Sequence, residues 1–197
     1  MKKSLIALAL VSAFTAPAFA QEAAAPVSDH TLTGNVGLFS SYRFRGIDQT
    51  AGKPALQGGF DYSHASGIYV GNWNSNVSSG AGFPEGNLEM DFYGGYNMAL
   101  GDFGIDVGGI YYYYPGSDAA PLSGSNAKNV GRNASGTVNN GEIYIGASWK
   151  MLSLKYYHSV TDYFELPDSK GTGYLDLSAN FDLGSGWGIN GHVGHLY

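Results

Sequence analysis

After residue 26 helical periodicity is nearly absent, and apolar and polar residues alternate with a period of two. In "NLEMDFYGGYNM", Leu88, Met90, Phe92, Tyr96 and Met98 share one face, opposite Glu89, Asp91, Tyr93 and Asn97. "EIYIGASWK" sets Ile143, Ile145, Ala147 and Trp149 against Glu142, Tyr144, Ser148 and Lys150, and "YLDLSANFDL" repeats the pattern. The reading predicts about nine strands, near 31–45, 55–63, 67–74, 87–98, 103–114, 142–150, 152–159, 173–183 and 187–197. Only the third, "GIYVGNWNS", does not alternate cleanly enough to assign its faces.

The connections alternate in length. Long ones fall at Gly46–Pro54, Ser75–Gly86, Pro115–Gly141 and Val160–Thr172, and tight ones at "HAS", "LGD", "KM" and "GSG". All long loops then lie at one end, the asymmetry of an outer-membrane barrel with short periplasmic turns and longer external loops. The fold class expected is all-β, a transmembrane antiparallel up-and-down β-barrel. An odd strand count does not suit such a barrel. It predicts that the chain lacks one to three strands of a 10–12-stranded whole, or that a further strand lies within 115–140.

The outward residues support a membrane wall. With the first strand running away from the periplasm, outward aromatics gather near the upper ends (Tyr42, Phe44, Tyr111, Tyr113, Tyr156) and the lower ends (Tyr62, Tyr96, Trp149, Phe181, Trp187). Aliphatics such as Val36, Leu38, Ile105, Val107, Ile145, Leu177 and Val193 fill the middle. Two aromatic belts around an apolar band, without Asp, Glu, Lys or Arg, is what lipid selects.

The N-terminus adds an address. "MKK", an apolar run too short to span a bilayer, and small residues at Ala18 and Ala20 read as a signal peptide, residues 1–20, cleaved before Gln21. Residues 21–30 read as a short linker and 31–197 as the barrel. The expected location is the outer membrane of a Gram-negative cell, with outer-membrane lipid and lipopolysaccharide as surroundings. Loss of Lys2 and Lys3 moves the formal charge from −6 to −8, which makes a nucleic-acid partner unlikely on charge grounds. There is no cysteine, so neither disulfides nor thiolate chemistry enter. The 30 Gly and 15 Tyr suit tight strand packing and interfacial rings.

The inward register carries Arg43, Arg45, Asp61, Glu89, Asp91, Asp106, Glu142, Lys155, Asp176 and Asp182. Lining a watery lumen, these groups would tune ion selectivity, and the surplus of acids tilts it toward cations. The other reading is that they pair with one another and plug a narrow bore. "PEGNLEMD" offers a calcium-binding loop or a solvated rim, the second being the expectation. Catalytic signals are weak: His158 and Ser159 point to opposite faces, and no nucleophile elbow or metal-spaced cluster occurs. No enzyme activity, metal or cofactor is expected.

"SSYRFRGIDQT", "KPALQGGFDYSHASGIYVGNWNSNV", "EMDFYGGY" and "YYYYPG" resemble the TorF-type porin family of proteobacteria, from about residue 31 to the end. The resemblance implies an outer-membrane porin for small hydrophilic solutes or ions, with Arg45 but not Arg43 at a family position. Two alternatives stay open: a non-conducting barrel that binds through its external loops, and a soluble periplasmic β-barrel binder.

Overall fold

A computed structural model describes residues 28–79, 86–122 and 135–197. The signal segment, residues 21–27 of the linker and the centres of the Ser75–Gly86 and Pro115–Gly141 loops lie outside these residues. The elements are β1 (His30–Phe39), β2 (Arg43–Phe44), β3 (Ile47–Asp48), β4 (Ala55–His64), β5 (Ile68–Asn76), β6 (Leu88–Leu100), β7 (Phe103–Tyr113), β8 (Asn139–Trp149), β9 (Leu152–Ser159), β10 (Gly173–Gly184) and β11 (Trp187–Leu196). Short 3-10 turns lie at Ala120–Leu122 and Tyr163–Glu165.

Nine strands form one antiparallel sheet in the order β1-β4-β5-β6-β7-β8-β9-β10-β11, every neighbour joined to the next in sequence. The long connections 40–54, 77–87, 114–138 and 160–172 share one end, and the turns at 65–67, 101–102, 150–151 and 185–186 share the other. Nine strands of alternating direction leave β1 and β11 running the same way. Among the described residues neither has a second partner, and the sheet is not closed.

The sheet curls around its inner face. The hydroxyl of Tyr69 on β5 bonds that of Tyr144 on β8, three places along. Apart from Asn72, Asn74 and Asn76 on β5, the outer face is apolar and largely exposed, from Leu32, Val36 and Leu38 on β1 to Trp187, Ile189 and Val193 on β11. No described strand of this sheet places Asp, Glu, Lys or Arg on it. The inner face instead buries Glu89, Asp91, Asp106, Asn140 and Glu142.

The inner face is built from tyrosine over glycine. Tyr93 faces Gly71, Tyr69 faces Gly95, and Tyr144 faces Gly108, each in register across a strand pair. A Cβ on Gly108 would stand 2.5 Å from the Tyr144 hydroxyl and 2.4 Å from the carbonyl oxygen of Gly94. The ring lies where a side chain would go. Gly108→Ala is therefore expected to cost about 1–3 kcal/mol through overpacking. Gly191→Ala, with nothing within 4 Å of its added Cβ, serves as the neutral control. Urea unfolding followed by tryptophan fluorescence checks the pair; equal midpoints would refute the interlock.

One predicted strand breaks in two. The alternation over 31–45 continues past Phe39, but the sheet strand stops there, and β2 and β3 form a separate hairpin. Arg45 (φ 49) and Gly46 (φ 83) are its central residues, both left-handed, as a type I′ turn requires. Gly46 takes this conformation freely, whereas Arg45 adopts it at a cost of about 1–3 kcal/mol. The turn reverses the chain and folds Tyr42, Phe44 and Arg45 inward.

Candidate functional site

At the long-loop end the inner face is closed over by loop residues. Val77, Tyr112, Tyr114, Ala119 and Val138 form a buried apolar cluster, joined by Tyr42, Phe44, Ile110 and Phe164. Phe44 meets Tyr112 and Phe164 edge-on at centroid distances of 5.4 and 5.9 Å. These contacts seat the β2–β3 hairpin and set Arg45 beneath it.

Arg45 is held by Glu142 of β8 through two parallel bonds, Nη1 to Oε1 at 2.7 Å and Nη2 to Oε2 at 2.6 Å. The two side chains are only 4% and 1% exposed. Paired donors matched to a carboxylate are the strongest form this contact takes. The guanidinium also lies over the rings of Phe44 (4.7 Å), Tyr157 (5.1 Å), Tyr163 (5.7 Å) and Tyr174 (4.4 Å). Glu142 further accepts from Asn140 at 3.0 Å, Tyr112 at 3.4 Å and Ser159 at 3.4 Å. Burial is the largest single influence and favours the neutral guanidine, but the bond to Glu142 together with the charge of Glu142 and the phenols of Tyr112 and Tyr163 outweighs it and holds Arg45 protonated. The hairpin thus reaches from the end of β1 across to β8, β9 and β10.

Midway down, Lys155 of β9 bonds Asp106 of β7 at 2.8 Å, with its ammonium 3.7 Å from the centroid of Tyr144. Asp106 also accepts from the Tyr69 hydroxyl at 2.6 Å. Asp61 accepts from Tyr93. Asp176 accepts from Ser178 and from Tyr174, and meets Nδ1 of His192 at 2.9 Å.

Glu89 and Asp91 of β6 are arranged differently. They are 0% and 6% exposed, so the stretch read as a solvated rim is buried at this point. Tyr42 donates to Oε1 of Glu89 at 3.0 Å. The Tyr42 phenol is pushed well above its usual range, first by burial and then by the carboxylates beside it, and stays a proton donor.

Of the ten residues expected to line the lumen, Asp61, Glu89, Asp91, Asp106, Glu142, Lys155 and Asp176 stand on the inner face, and Arg45 reaches it from the hairpin. Arg43 does not: its side chain is 62% exposed and faces Asp48 at 3.9 Å within the hairpin. Asp182 falls at the exposed short-turn end, where it accepts the backbone N–H of Gly184 at 2.8 Å. The belt assignments of Tyr42 and Phe44 are overturned by the type I′ turn, which buries both against the inner cluster. The other belt residues, Tyr62, Tyr96, Tyr111, Tyr113, Trp149, Tyr156, Phe181 and Trp187, occupy outward register positions.

Tyr69, Tyr112, Tyr157, Tyr163 and Tyr174 were absent from the expected site, yet they supply its hydroxyls and ring faces. Tyr174 lies two residues from Asp176 and Tyr157 two from Lys155, and that spacing was the available signal; Tyr69 and Tyr112 have no charged residue two positions away, and Tyr163 lies in a loop.

No curated protein and no solved structure matches the chain. A family pattern does match over residues 23–196, nearly the whole chain. By that match the chain belongs to the family described as bacterial protein of unknown function (Gcw_chp).

Proposed function

We propose that this chain forms the wall of a bacterial outer-membrane β-barrel that passes small hydrophilic solutes, cations above all, by passive diffusion. The observation that carries the reading is the contrast between the two faces of one sheet: uncharged and apolar outside, rich in carboxylates and hydroxyls inside. A water-soluble sheet gains nothing from exposing its apolar face, whereas a lipid-facing wall requires it. The signal-like leader and the resemblance to TorF-type porins agree with this placement. Closure of the sheet into a barrel is part of the proposal.

In this reading Arg45 and its hairpin obstruct the long-loop end, and conduction requires the hairpin to move. Protein refolded in detergent and added to planar bilayers should give small or rare conductance steps. Arg45→Ala should enlarge them or make them frequent, with a reversal potential favouring cations. Silence from both proteins at every voltage would sink the channel reading.

The second reading is a non-conducting barrel that acts through its external loops. It is favoured by one specific observation, the Arg45–Glu142 and Lys155–Asp106 pairs that tie opposite charges together inside the curl. Membrane fractions washed with carbonate separate both readings from a soluble sheet, which would be released.

A further inference from the structure

Among the described residues, three buried side-chain atoms lack a hydrogen-bond partner: Oε1 of Gln49, Oε2 of Glu89 and Oδ1 of Asp91. All three are acceptor oxygens. Tyr114 bonds the Glu89 carboxyl as Tyr42 does, and the carboxyls of Glu89 and Asp91 can bond one another only by sharing a proton. Two of the three oxygens share one place on the inner face, and the third lies across the hairpin backbone from Tyr42. Glu89 and Asp91 are successive inner-face residues of β6, with their carboxyls against one another. Gln49 follows the hairpin and donates its backbone N–H to the carbonyl of Tyr42 at 2.7 Å, and the Tyr42 hydroxyl bonds Glu89.

Charge bookkeeping singles out the same place. Arg45 neutralises Glu142, Lys155 neutralises Asp106, and His192 stands against Asp176. No described cation faces Glu89 or Asp91. Burying one unpaired carboxylate costs several kcal/mol, and two in contact cost more. A positive charge between them removes that cost.

We propose that Glu89 and Asp91, with the hydroxyl oxygen of Tyr42, bind a hard divalent cation such as Ca2+ or Mg2+ at the long-loop end of the inner face. Two carboxylates match a double charge, and a donor set made only of oxygen selects hard ions over zinc or copper. No third carboxylate or imidazole joins them among the described residues, so water completes the shell. An affinity of about 10⁻⁴–10⁻³ M, the weak end for calcium sites, is expected. The site stands apart from conduction: it holds for a closed barrel as for an open one.

Tb3+ is the probe, because Tyr42 lies against the site and Trp73 meets Tyr42 edge-on at a centroid distance of 5.2 Å, placing two antenna rings close by. Refolded protein excited in the aromatic band should give saturable terbium emission that Ca2+ displaces. Emission lifetimes in H2O and D2O should report fewer bound waters than on the free ion. The double variant Glu89→Gln, Asp91→Asn should weaken binding by at least about tenfold. Asp182→Asn, which alters an exposed carboxylate at the opposite end, should leave it unchanged. Absence of saturable emission would overturn the proposal and leave a shared proton as the neutralising charge. So would a fully hydrated bound ion, or equal affinity in a double variant whose circular dichroism matches the parent. The lifetime measurement needs only the parent protein and decides even where the variant does not fold.

Discussion

Replacing Glu142 by Ala is expected to lower stability by about 3–5 kcal/mol, the cost of stranding a buried charge. Glu142 accepts two bonds from Arg45 and others from Asn140, Tyr112 and Ser159, and its removal leaves these donors facing a gap. Arg45 suffers most, because it is held in a left-handed conformation at the tip of a hairpin seated by this contact. Urea titration of the refolded protein, read by tryptophan fluorescence, measures the loss. The mechanism makes a second demand. Replacing both partners with Met removes the charges along with their bond, and should recover most of the stability, since apolar replacements of buried ion pairs are often neutral or better. If the double variant is as unstable as Glu142→Ala, the loss arises from packing and not from an orphaned guanidinium.

Ile145→Arg tests the other face. Ile145 is 55% exposed in the isolated chain, on an outward strand position between Val107 and Tyr156. In a water-soluble sheet an arginine there would change stability by no more than about 0.5 kcal/mol. In a wall facing lipid at mid-depth it costs about 2–4 kcal/mol. Unfolding from phospholipid vesicles gives the number. A small value in vesicles, alongside unimpaired assembly, would remove the membrane reading altogether.

The strands were legible because two independent signals agreed on them. Period-two alternation marked their interiors and alternating loop lengths marked their ends. Eight of the nine predicted spans lie within a few residues of the observed sheet strands. The first failed for a local reason. Alternation runs unbroken through Tyr42, Arg43 and Phe44, and only the left-handed pair Arg45–Gly46 turns the chain back.

Strand β5 was unreadable for a different reason. Its outward positions near the long-loop end are Asn72, Asn74 and Asn76, which mask the apolar side. Each amide donates to a backbone carbonyl, of Asp91, Gly58 and Pro54 respectively. These polar residues therefore have local partners on an otherwise apolar face. The face of β5 follows only from its registers with β4 and β6.

The acids and bases of the inner face were legible as a set, since each sits opposite apolar residues. Their pairing was not. Arg45 and Glu142 lie 97 positions apart, and no spacing rule joins a hairpin tip to a distant strand. Tyrosine was legible only in part because of its dual character: Tyr93 and Tyr144 read as inward, whereas Tyr42 read as outward and is not. A phenol suits the outer face, as with Tyr96 and Tyr111, but it also suits a narrow polar interior, where Tyr69, Tyr93 and Tyr144 stack on glycine and donate to carboxylates or to one another.

The tyrosine-over-glycine contacts also act as a proofreading code for assembly. Strands that slide by one residue turn their faces inside out, which exchanges the apolar face for the charged one. A slide of two residues keeps the faces and would otherwise go undetected. Between β5 and β6, however, it would set Tyr69 against Tyr93 or Asn97 in place of Gly95, leaving the ring without its vacancy. Tyr93 and Gly71 repeat the check in the opposite sense on the same two strands, like keys cut on both sides of one lock. The β5–β6 and β7–β8 pairs can thus verify their own alignment before the next strand is added.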